Sequence, residues 1–233
     1  METGYANEHN RQDKTRAGDI MYNKYFRRHF DSTYDPTEIA LYRKWFKTQW
    51  KMINKNIKID SSERILEIGS ALGGFYSFLG KDIDYTGLEL DNEAVNFSNK
   101  HFQVNAFKKI PLEKFRSKKL FDMIFAFEVL EHFASPEQAV SKIGKLLNQN
   151  GVFCGTSPYP FHKNILADKT HRFVLHPTAW KLLFKSKGFR KVEVYPMSFI
   201  PFLWRVSSLL NLRIPFYLPF PKFISTTLII ARK

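Results

Sequence analysis

The order of apolar and polar positions along the chain predicts a sheet of mostly parallel strands covered by helices. From about residue 61, short apolar runs alternate with segments of helical period, and this alternation is typical of α/β folds. The predicted strands are Arg64–Ile68, Tyr85–Leu90, His101–Asn105, Phe121–Phe127, Val152–Thr156, Lys191–Tyr195 and Thr226–Ala231. The predicted helices are Gly73–Leu79, Asn92–Lys100, Pro136–Asn148 and Pro177–Lys187. We therefore expect an α/β domain over residues 61–233, with a seven-stranded, mostly parallel sheet flanked by helices.

The residues before this domain have a different pattern. Residues 1–19 are polar and without period, so we expect a flexible tail. Residues 20–60 carry aromatic side chains at steps of three and four among Lys and Arg, which predicts N-terminal amphipathic helices. The second of these helices should begin at Pro36, because proline is favoured at the first position of a helix.

Residues 197–224 form a hydrophobic insertion before the last predicted strand. The segment is rich in Phe, Leu and Pro, and its charged residues are all basic. Its prolines exclude one long regular helix. Two interpretations remain open: the insertion is a lid or a peripheral membrane contact, or it packs over the core.

The formal net charge of the chain is +14, and the excess lies toward the C-terminus. Residues 151–233 contain 13 Lys and Arg but two Asp and Glu. A basic surface of this kind attracts nucleic acid, anionic lipid head groups or a phosphorylated substrate, and charge alone does not separate these partners. The alternative is that the lysines only keep an aromatic-rich chain in solution.

The cysteine content and the first residues of the chain indicate the cellular compartment of the protein. Cys154 is the only cysteine and lies in an apolar run, so we expect a buried thiol in a reducing compartment. The first residues lack the apolar core of a secretory signal, and no uninterrupted apolar run is long enough to span a bilayer. We expect a cytoplasmic protein, with membrane association through residues 197–224 as the open alternative.

A strand that ends in a turn of small residues predicts a nucleotide site. The run from Ile65 continues through Gly69, Ala71 and Gly73 into a predicted helix. Small residues let a ligand contact the backbone, and the N-terminus of a helix offers unpaired N–H groups. Glu89 follows Gly69 by twenty residues, near the tip of the next predicted strand, where a carboxylate can accept hydrogen bonds from ribose hydroxyls.

This segment resembles the first motif of the class I S-adenosylmethionine-dependent methyltransferases, an acid followed by Gly-x-Gly-x-Gly, with Ala71 in place of the middle glycine. The resemblance implies a Rossmann-like fold and S-adenosylmethionine as cofactor, with Glu67 near its amino acid portion and Asn105 near its adenine. The predicted cofactor-binding residues are Glu67, Gly69, Ala71, Gly73, Glu89, Leu90, Asn105 and Phe127. A nicotinamide dehydrogenase competes, but the second glycine of its Gly-x-Gly-x-x-Gly pattern is missing.

The fourth predicted strand runs directly into Glu128-Val-Leu-Glu131-His132. If a helical turn begins there, the two acids and the histidine converge on one face. Two carboxylates this close repel each other unless a proton or cation lies between them, and a hard divalent ion such as Mg²⁺ with mixed oxygen and nitrogen ligands fits. The alternative is that Glu131 and His132 orient the helix while Glu128 meets solvent. The position at the end of a strand favours a ligand site.

The same segment resembles the ubiquinone-biosynthesis O-methyltransferases and the small-RNA 3′-terminal 2′-O-methyltransferases. In both groups it helps to hold a divalent metal, and a histidine follows the fifth strand. The stretch Asp168-Lys-Thr-His171-Arg-Phe nominates His171 as that further ligand or base, with His162 and His176 as alternatives. The resemblance covers about residues 60–195 and leaves the N-terminal helices and the insertion outside it.

These features predict an S-adenosylmethionine-dependent methyltransferase that acts on an oxygen of a small-molecule, lipid-linked or saccharide hydroxyl. The metal hypothesis rests on Glu128, Glu131, His132 and His171, and the predicted catalytic residues are Glu131, His132 and His171. A bound metal would acidify the substrate hydroxyl; without one, either histidine can act as general base. The hydrophobic insertion amid basic charge favours an amphiphilic acceptor.

Two other functions remain open. An RNA 2′-O-methyltransferase is supported by the basic C-terminal part and the acid and histidine cluster, but no common RNA-binding signature is visible. A binding module with a methyltransferase-like fold and no catalysis is allowed by Ala71, whereas Glu89 together with a complete Glu-x-x-Glu-His argues against it.

Overall fold

The structure, a computed structural model, describes residues 36–80, 82–160, 165, 168–199, 213–214 and 224–233. The predicted tail, the first predicted helix, His162 and most of residues 197–224 lie outside the described residues. Within the described part of the chain, no helix combines the length and the apolar character that crossing a bilayer requires.

The described strands form one sheet. They are β1 (Arg64–Ile68), β2 (Asp84–Glu89), β3 (Phe107–Lys109), β4 (Phe121–Phe127), β5 (Leu147–Pro158), β6 (Lys191–Phe199), β7 (Arg213–Ile214) and β8 (Ile224–Arg232). Their order across the sheet is β3-β2-β1-β4-β5-β8-β6-β7. The first five strands are mutually parallel, and β8 runs antiparallel between β5 and β6. The prediction of a Rossmann-like, mostly parallel sheet is confirmed, with the short β7 as an additional strand.

This topology sets the place of the site. The chain builds outward from β1 to β2 and β3 on one side, and from β4 onward on the other. In open α/β sheets, ligands bind at the carboxyl ends of the strands where the order reverses. We call the edge where β1, β2, β4 and β5 end the carboxyl edge of the sheet.

Five α-helices of the described residues pack on the sheet. They are α1 (Pro36–Ile53), α2 (Gly74–Leu79), α3 (Asn92–Phe102), α4 (Pro136–Leu146) and α5 (Pro177–Ser186), and a 3₁₀ turn covers Leu130–His132. Local capping explains the start of α4: the Ser135 hydroxyl accepts a hydrogen bond from the Gln138 N–H, and Pro136 follows it. Helix α1 begins at Pro36, as the sequence predicts.

The core has two layers, one on each face of the sheet. Neighbouring strand residues point to opposite faces, so Leu66 packs with α4 and α5, whereas Ile65 packs with α1 and α2. On the second face, the Phe46 ring of α1 lies 4.9 Å from that of Phe127, so α1 covers the end of β4. Cys154 is buried, as predicted, and burial raises the pKa of its thiol.

The prediction of the third strand was wrong. Residues predicted as His101–Asn105 begin inside α3, which ends at Gln103 in a left-handed conformation. The strand starts later, because the Asn99 side chain exchanges two hydrogen bonds with the backbone of Phe107 and fixes that residue as its first member. Asn105 is therefore exposed and precedes β3. It does not end the strand, and the reason for placing it near the adenine is lost.

Candidate active site

The turn after β1 contains three residues with left-handed backbone conformation. Gly69 has φ 74°, Ala71 has φ 45° and Gly73 has φ 74°. A Cβ atom at Gly73 would lie 2.7 Å from the rings of Phe102 and Phe107, so close packing as well as backbone conformation requires glycine there. Ala71 adopts a conformation that costs an L-residue about 1–2 kcal/mol, and the turn is strained at that residue.

Glu89 closes this turn from the next strand. Its Oε2 accepts a hydrogen bond from the Ala71 N–H at 2.9 Å, and its Oε1 accepts from the N–H groups of Leu90 and Asp91 at 2.6 and 3.1 Å. Burial raises the pKa of Glu89, and these three donors oppose the rise. The carboxylate is thus fixed at the carboxyl edge, where it can accept further hydrogen bonds from vicinal hydroxyls. The adjacent Leu90 side chain is 41% exposed.

Glu67 lies under the same turn, on the face of the sheet that α2 covers. The Tyr85 hydroxyl donates a hydrogen bond to its carboxylate. Burial raises the pKa of Glu67 to about 8, the Tyr85 bond lowers it, and the charge of Glu89 raises it. The carboxyl is therefore largely protonated at neutral pH in the protein alone. A cation brought next to it would favour the ionised form.

The acid and histidine segment does not form the predicted α-helical turn. Glu128 has φ 53°, a left-handed value that interrupts any helix, and the 3₁₀ turn begins only at Leu130. The Glu128 N–H donates to the Thr156 carbonyl, and its Oε1 accepts a 2.7 Å hydrogen bond from the Thr226 hydroxyl of β8. The prediction that Glu128, Glu131 and His132 converge on one helical face was therefore wrong.

Glu131 lies close to two histidines. One oxygen of Glu131 and one ring nitrogen each of His132 and His171 lie within 4.8 Å of one another; we call these three residues the acid–histidine cluster. Glu131 is fully buried, and among the described residues neither carboxylate oxygen has a hydrogen bond within ordinary distance and angle limits, although the nearby Ser157 hydroxyl lowers its pKa. Burial raises the pKa of Glu131 well above its usual value, and the charge of Glu128 adds to the rise. An orphaned buried carboxylate of this kind is rare without a ligand.

The two imidazoles are oriented for ligation. His132 Nδ1 lies 3.0 Å from the Thr170 carbonyl oxygen, and His171 Nδ1 lies 2.8 Å from that of Ile165. A carbonyl only accepts, so each Nδ1 carries a proton; in a neutral ring this leaves the lone pair on Nε2, the arrangement that metal-ligating histidines use. Burial is the main cause that lowers the pKa of His132, which keeps its ring neutral at pH 7.

A short loop brings His171 to the cluster. The backbone carbonyl of Glu131 accepts hydrogen bonds from the N–H groups of Arg172 at 2.8 Å and Phe173 at 3.0 Å. These bonds tie the loop after β5 to the 3₁₀ turn after β4. His176, a predicted alternative, lies outside the cluster: it is exposed, and its Nδ1 accepts from the Thr178 N–H at the start of α5.

Two residues near the cluster were not predicted from the sequence. Asp168 Oδ1 accepts hydrogen bonds from the Thr170 N–H at 2.9 Å and hydroxyl at 2.7 Å, and its Oδ2 lies 3.9 Å from His171 Nε2. Burial alone would raise the pKa of Asp168, but the Thr170 bonds and the nearby histidines lower it. Thr226, the second residue, comes from β8, nearly a hundred residues after Glu128. The Asp-x-Thr spacing was the available signal for Asp168, whereas no local signal marks Thr226.

The donor set of the cluster suits a divalent ion. Two imidazole nitrogens and one carboxylate can hold Zn²⁺, Mn²⁺ or a similar transition metal, whereas Mg²⁺ prefers oxygen ligands alone. The orphaned Glu131 oxygens and the two Nε2 lone pairs fit such an ion without a change of tautomer. The remaining predicted residue, Phe127, contacts other rings: its ring lies 5.1 Å from that of Phe75 and also packs on α1.

Comparison with known proteins agrees with this geometry. A search of curated proteins finds no match. A family profile described as a methyltransferase domain matches residues 41–194. A solved SAM-dependent methyltransferase from Archaeoglobus fulgidus is similar, with TM-score 0.64 and 18% identity over 91% of this chain and 100% of that one. A possible histamine N-methyltransferase from Thermotoga maritima has TM-score 0.64 and 16% identity over 92% and 97%.

A third similar structure carries the cofactor. Phosphoethanolamine N-methyltransferase 2 from Haemonchus contortus, in complex with S-adenosyl-L-methionine, has TM-score 0.63 and 15% identity over 89% of this chain and 60% of that one. At these identities the similarity establishes the fold, and the family profile establishes membership. The chain belongs to the methyltransferase domain family, and its fold is that of the S-adenosylmethionine-dependent methyltransferases.

Proposed function

We propose that this chain transfers the methyl group of S-adenosylmethionine to a hydroxyl oxygen, and that Glu131, His132 and His171 hold a divalent metal beside the acceptor. One observation carries the proposal. A fully buried carboxylate, whose oxygens make no hydrogen bond within ordinary distance and angle limits to the described residues, lies within 4.8 Å of one ring nitrogen from each of two histidines. Burying a carboxylate in a packed core costs free energy unless a proton, a cation or hydrogen bonds stabilise it. A metal ion would supply that stabilisation here.

The cofactor part of the proposal rests on the turn after β1. Glu89 is held by three backbone N–H groups, which orients its carboxylate for the two hydroxyls of a ribose. The exposed Leu90 beside it offers an apolar surface for a base. Glu67 supplies a second carboxyl under the turn, one that ionises when a positive charge approaches. The solved relative from Haemonchus contortus, which binds S-adenosyl-L-methionine, supports the same cofactor here.

The chemistry needs little beyond alignment and removal of one proton. An acceptor oxygen forms a bond to the methyl carbon while the carbon–sulfur bond breaks, and the sulfonium leaves as a neutral thioether. A divalent metal, when bound, supplies Lewis acidity that lowers the pKa of a hydroxyl. In the metal-free protein, His132 is the available base, because burial keeps its ring neutral and its Nε2 unprotonated. Holding the acceptor in line accounts for much of the rate.

The acceptor we propose is a small-molecule, lipid-linked or saccharide hydroxyl. The hydrophobic sequence of residues 197–224, with its basic flanks, supports an amphiphile. RNA with a free 2′-hydroxyl is the second candidate, because the acid–histidine cluster would serve that hydroxyl equally and the chain carries a net charge of +14. A polyanion is favoured by such a charge.

Transfer of labelled methyl from S-adenosylmethionine to a panel of acceptors tests the proposal. The panel contains a prenylated phenol, a lipid-linked saccharide, a free glycan, and RNA oligonucleotides ending in a 2′-hydroxyl or a 2′-deoxy sugar. We expect an O-methyl product whose rate of formation falls sharply after chelation and recovers with Mn²⁺ or Zn²⁺. Glu131→Gln should abolish the metal response, whereas Glu137→Gln, an exposed acid on α4, should not. An N-methyl product, or turnover unchanged by chelation and by Glu131→Gln, contradicts the proposal.

A further inference from the structure

The position of Asp168 extends the acid–histidine cluster. We propose that Asp168, rather than Glu128, is the fourth protein ligand of the divalent metal. This inference rests on the proposed function, because it concerns the same metal, and it assigns a ligand that the sequence analysis did not.

The distances place Asp168 at the open side of His171. Asp168 Oδ2 lies 3.9 Å from His171 Nε2, the atom whose lone pair the cluster presents. Two ligand atoms on one tetrahedral ion, each about 2.1 Å from the metal, are roughly 3.4 Å apart. A shift of about half an ångström would bring Oδ2 to that separation from His171 Nε2. Asp168 lies outside the group of atoms within 4.8 Å of one another, so ligation also requires its loop to close toward Glu131 and His132.

The loop holds this carboxylate with one oxygen and leaves the other for the metal. Oδ1 accepts both hydrogen bonds from Thr170, which turns Oδ2 toward His171. The Thr170 carbonyl accepts from His132 Nδ1, and the His171 N–H donates to the Asp168 carbonyl. The turn of residues 168–171 thus orients the His132 imidazole and the Asp168 carboxylate, while the Ile165 carbonyl orients the His171 imidazole. Such hydrogen bonds to ligating residues are the usual support of a metal site.

Glu128 is held by a different partner. Its Oε1 accepts a hydrogen bond from the Thr226 hydroxyl, and its backbone is left-handed. Asp168 and Glu131 together carry two negative charges, which balance a divalent ion. Ligation by Glu128 would require breaking the Thr226 bond, whereas ligation by Asp168 breaks none of its Thr170 bonds.

Metal titration of the full chain separates the two acids. Chelator-treated protein is titrated with Zn²⁺ and Mn²⁺ by calorimetry as wild type, Asp168→Asn, Glu128→Gln and Thr170→Val. Asp168→Asn keeps the oxygen that Thr170 binds and removes only the charged ligand, and we expect it to weaken the affinity about tenfold or more. Glu128→Gln should stay within about threefold. Thr170→Val loosens the loop but leaves Oδ2, so it should weaken binding less than Asp168→Asn.

A spectroscopic readout and a cofactor control complete the experiment. The visible absorption of the Co²⁺-loaded protein reports the ligand set, and it should change in Asp168→Asn and not in Glu128→Gln. S-adenosylmethionine binding, measured on the same samples, should be equal in all variants. A larger loss in Glu128→Gln than in Asp168→Asn overturns the assignment of Asp168 alone. Absence of metal binding in the wild type overturns the metal part of the proposed function and this inference with it.

Discussion

Replacing the Glu131 carboxylate by an amide should make the metal-free protein more stable. Burial and the charge of Glu128 raise the pKa of Glu131 well above its usual value of 4.5. A carboxyl with a raised folded-state pKa holds its proton in the folded protein and releases it in the unfolded chain. The free energy of unfolding therefore falls as pH rises from 4.5 toward the folded-state pKa, by about 1.4 kcal/mol per pH unit. Glu131→Gln removes this slope, so the variant gains stability over the wild type across that window.

The same substitution should remove the stabilisation by metal. An ion present at 100 times its dissociation constant adds about 2.7 kcal/mol to the free energy of unfolding. For a chain of this size, 1 kcal/mol shifts Tm by about 2–4 °C, so the wild type should gain roughly 5–10 °C with Zn²⁺ or Mn²⁺. Glu131→Gln lacks a charged ligand and should gain little.

Urea denaturation at pH 5, 6 and 7 in the presence of chelator checks the pH dependence. Thermal denaturation with and without metal checks the stabilisation by the ion. Glu137→Gln, an exposed acid on the next helix, is the matched control and should follow the wild type throughout. Parallel pH slopes for wild type and Glu131→Gln, or a variant that is less stable at pH 7 with chelator, would refute the reasoning about the buried charge.

Three further predictions concern the turn after β1 and the acid beneath it. Gly73→Ala should cost roughly 2–4 kcal/mol of unfolding free energy, because strain and overpacking combine. At Gly80 a Cβ meets nothing within 4 Å among the described residues, but the backbone (φ 101°, ψ 173°) is one that glycine adopts almost alone, so Gly80→Ala should cost roughly 1–3 kcal/mol from strain alone in urea denaturation. Ala71→Gly removes the strain of a left-handed alanine, but glycine also increases the conformational entropy of the unfolded chain. The free energy of unfolding should therefore rise by at most about 1 kcal/mol, measured as an increase in Tm. Glu67 has a folded-state pKa of about 8. The free energy of unfolding of the wild type, relative to that of Glu67→Gln, should therefore fall by about 1.4 kcal/mol per pH unit between pH 4.5 and 8. Equal pH slopes for the two proteins in urea denaturation would contradict this.

Most of the fold was readable from local pattern. Strands β1 and β4 match the predicted bounds, because strands buried on both faces are nearly continuous apolar runs. Strand β3 was not readable: it has three residues, and its start depends on the Asn99 side chain and on a left-handed Gln103, neither of which has a hydrophobic period. Pairing of β8 between β5 and β6 follows from tertiary packing rather than from any one segment.

The site was readable where its chemistry is local in sequence. The glycine turn and Glu89 followed from spacing, and His171 from a resemblance. The separation of Glu128 from Glu131 was not readable, because it depends on a single left-handed residue and on Thr226, which lies in the last strand. Asp168 was overlooked because its role depends on the fold that brings its loop against the 3₁₀ turn.

The cofactor site is tested most directly by titrating the purified full chain with S-adenosylmethionine by calorimetry, as wild type, Glu89→Gln and Glu93→Gln. A hydrogen bond to a charged acceptor is worth about 1.5–3 kcal/mol, so Glu89→Gln should weaken binding by roughly 10- to 150-fold. Glu93→Gln, an exposed acid in the first turn of α3, should bind as the wild type does. We predict that the wild type binds S-adenosylmethionine and that Glu89→Gln weakens this binding by that factor. A folded wild type that binds no S-adenosylmethionine would contradict the account.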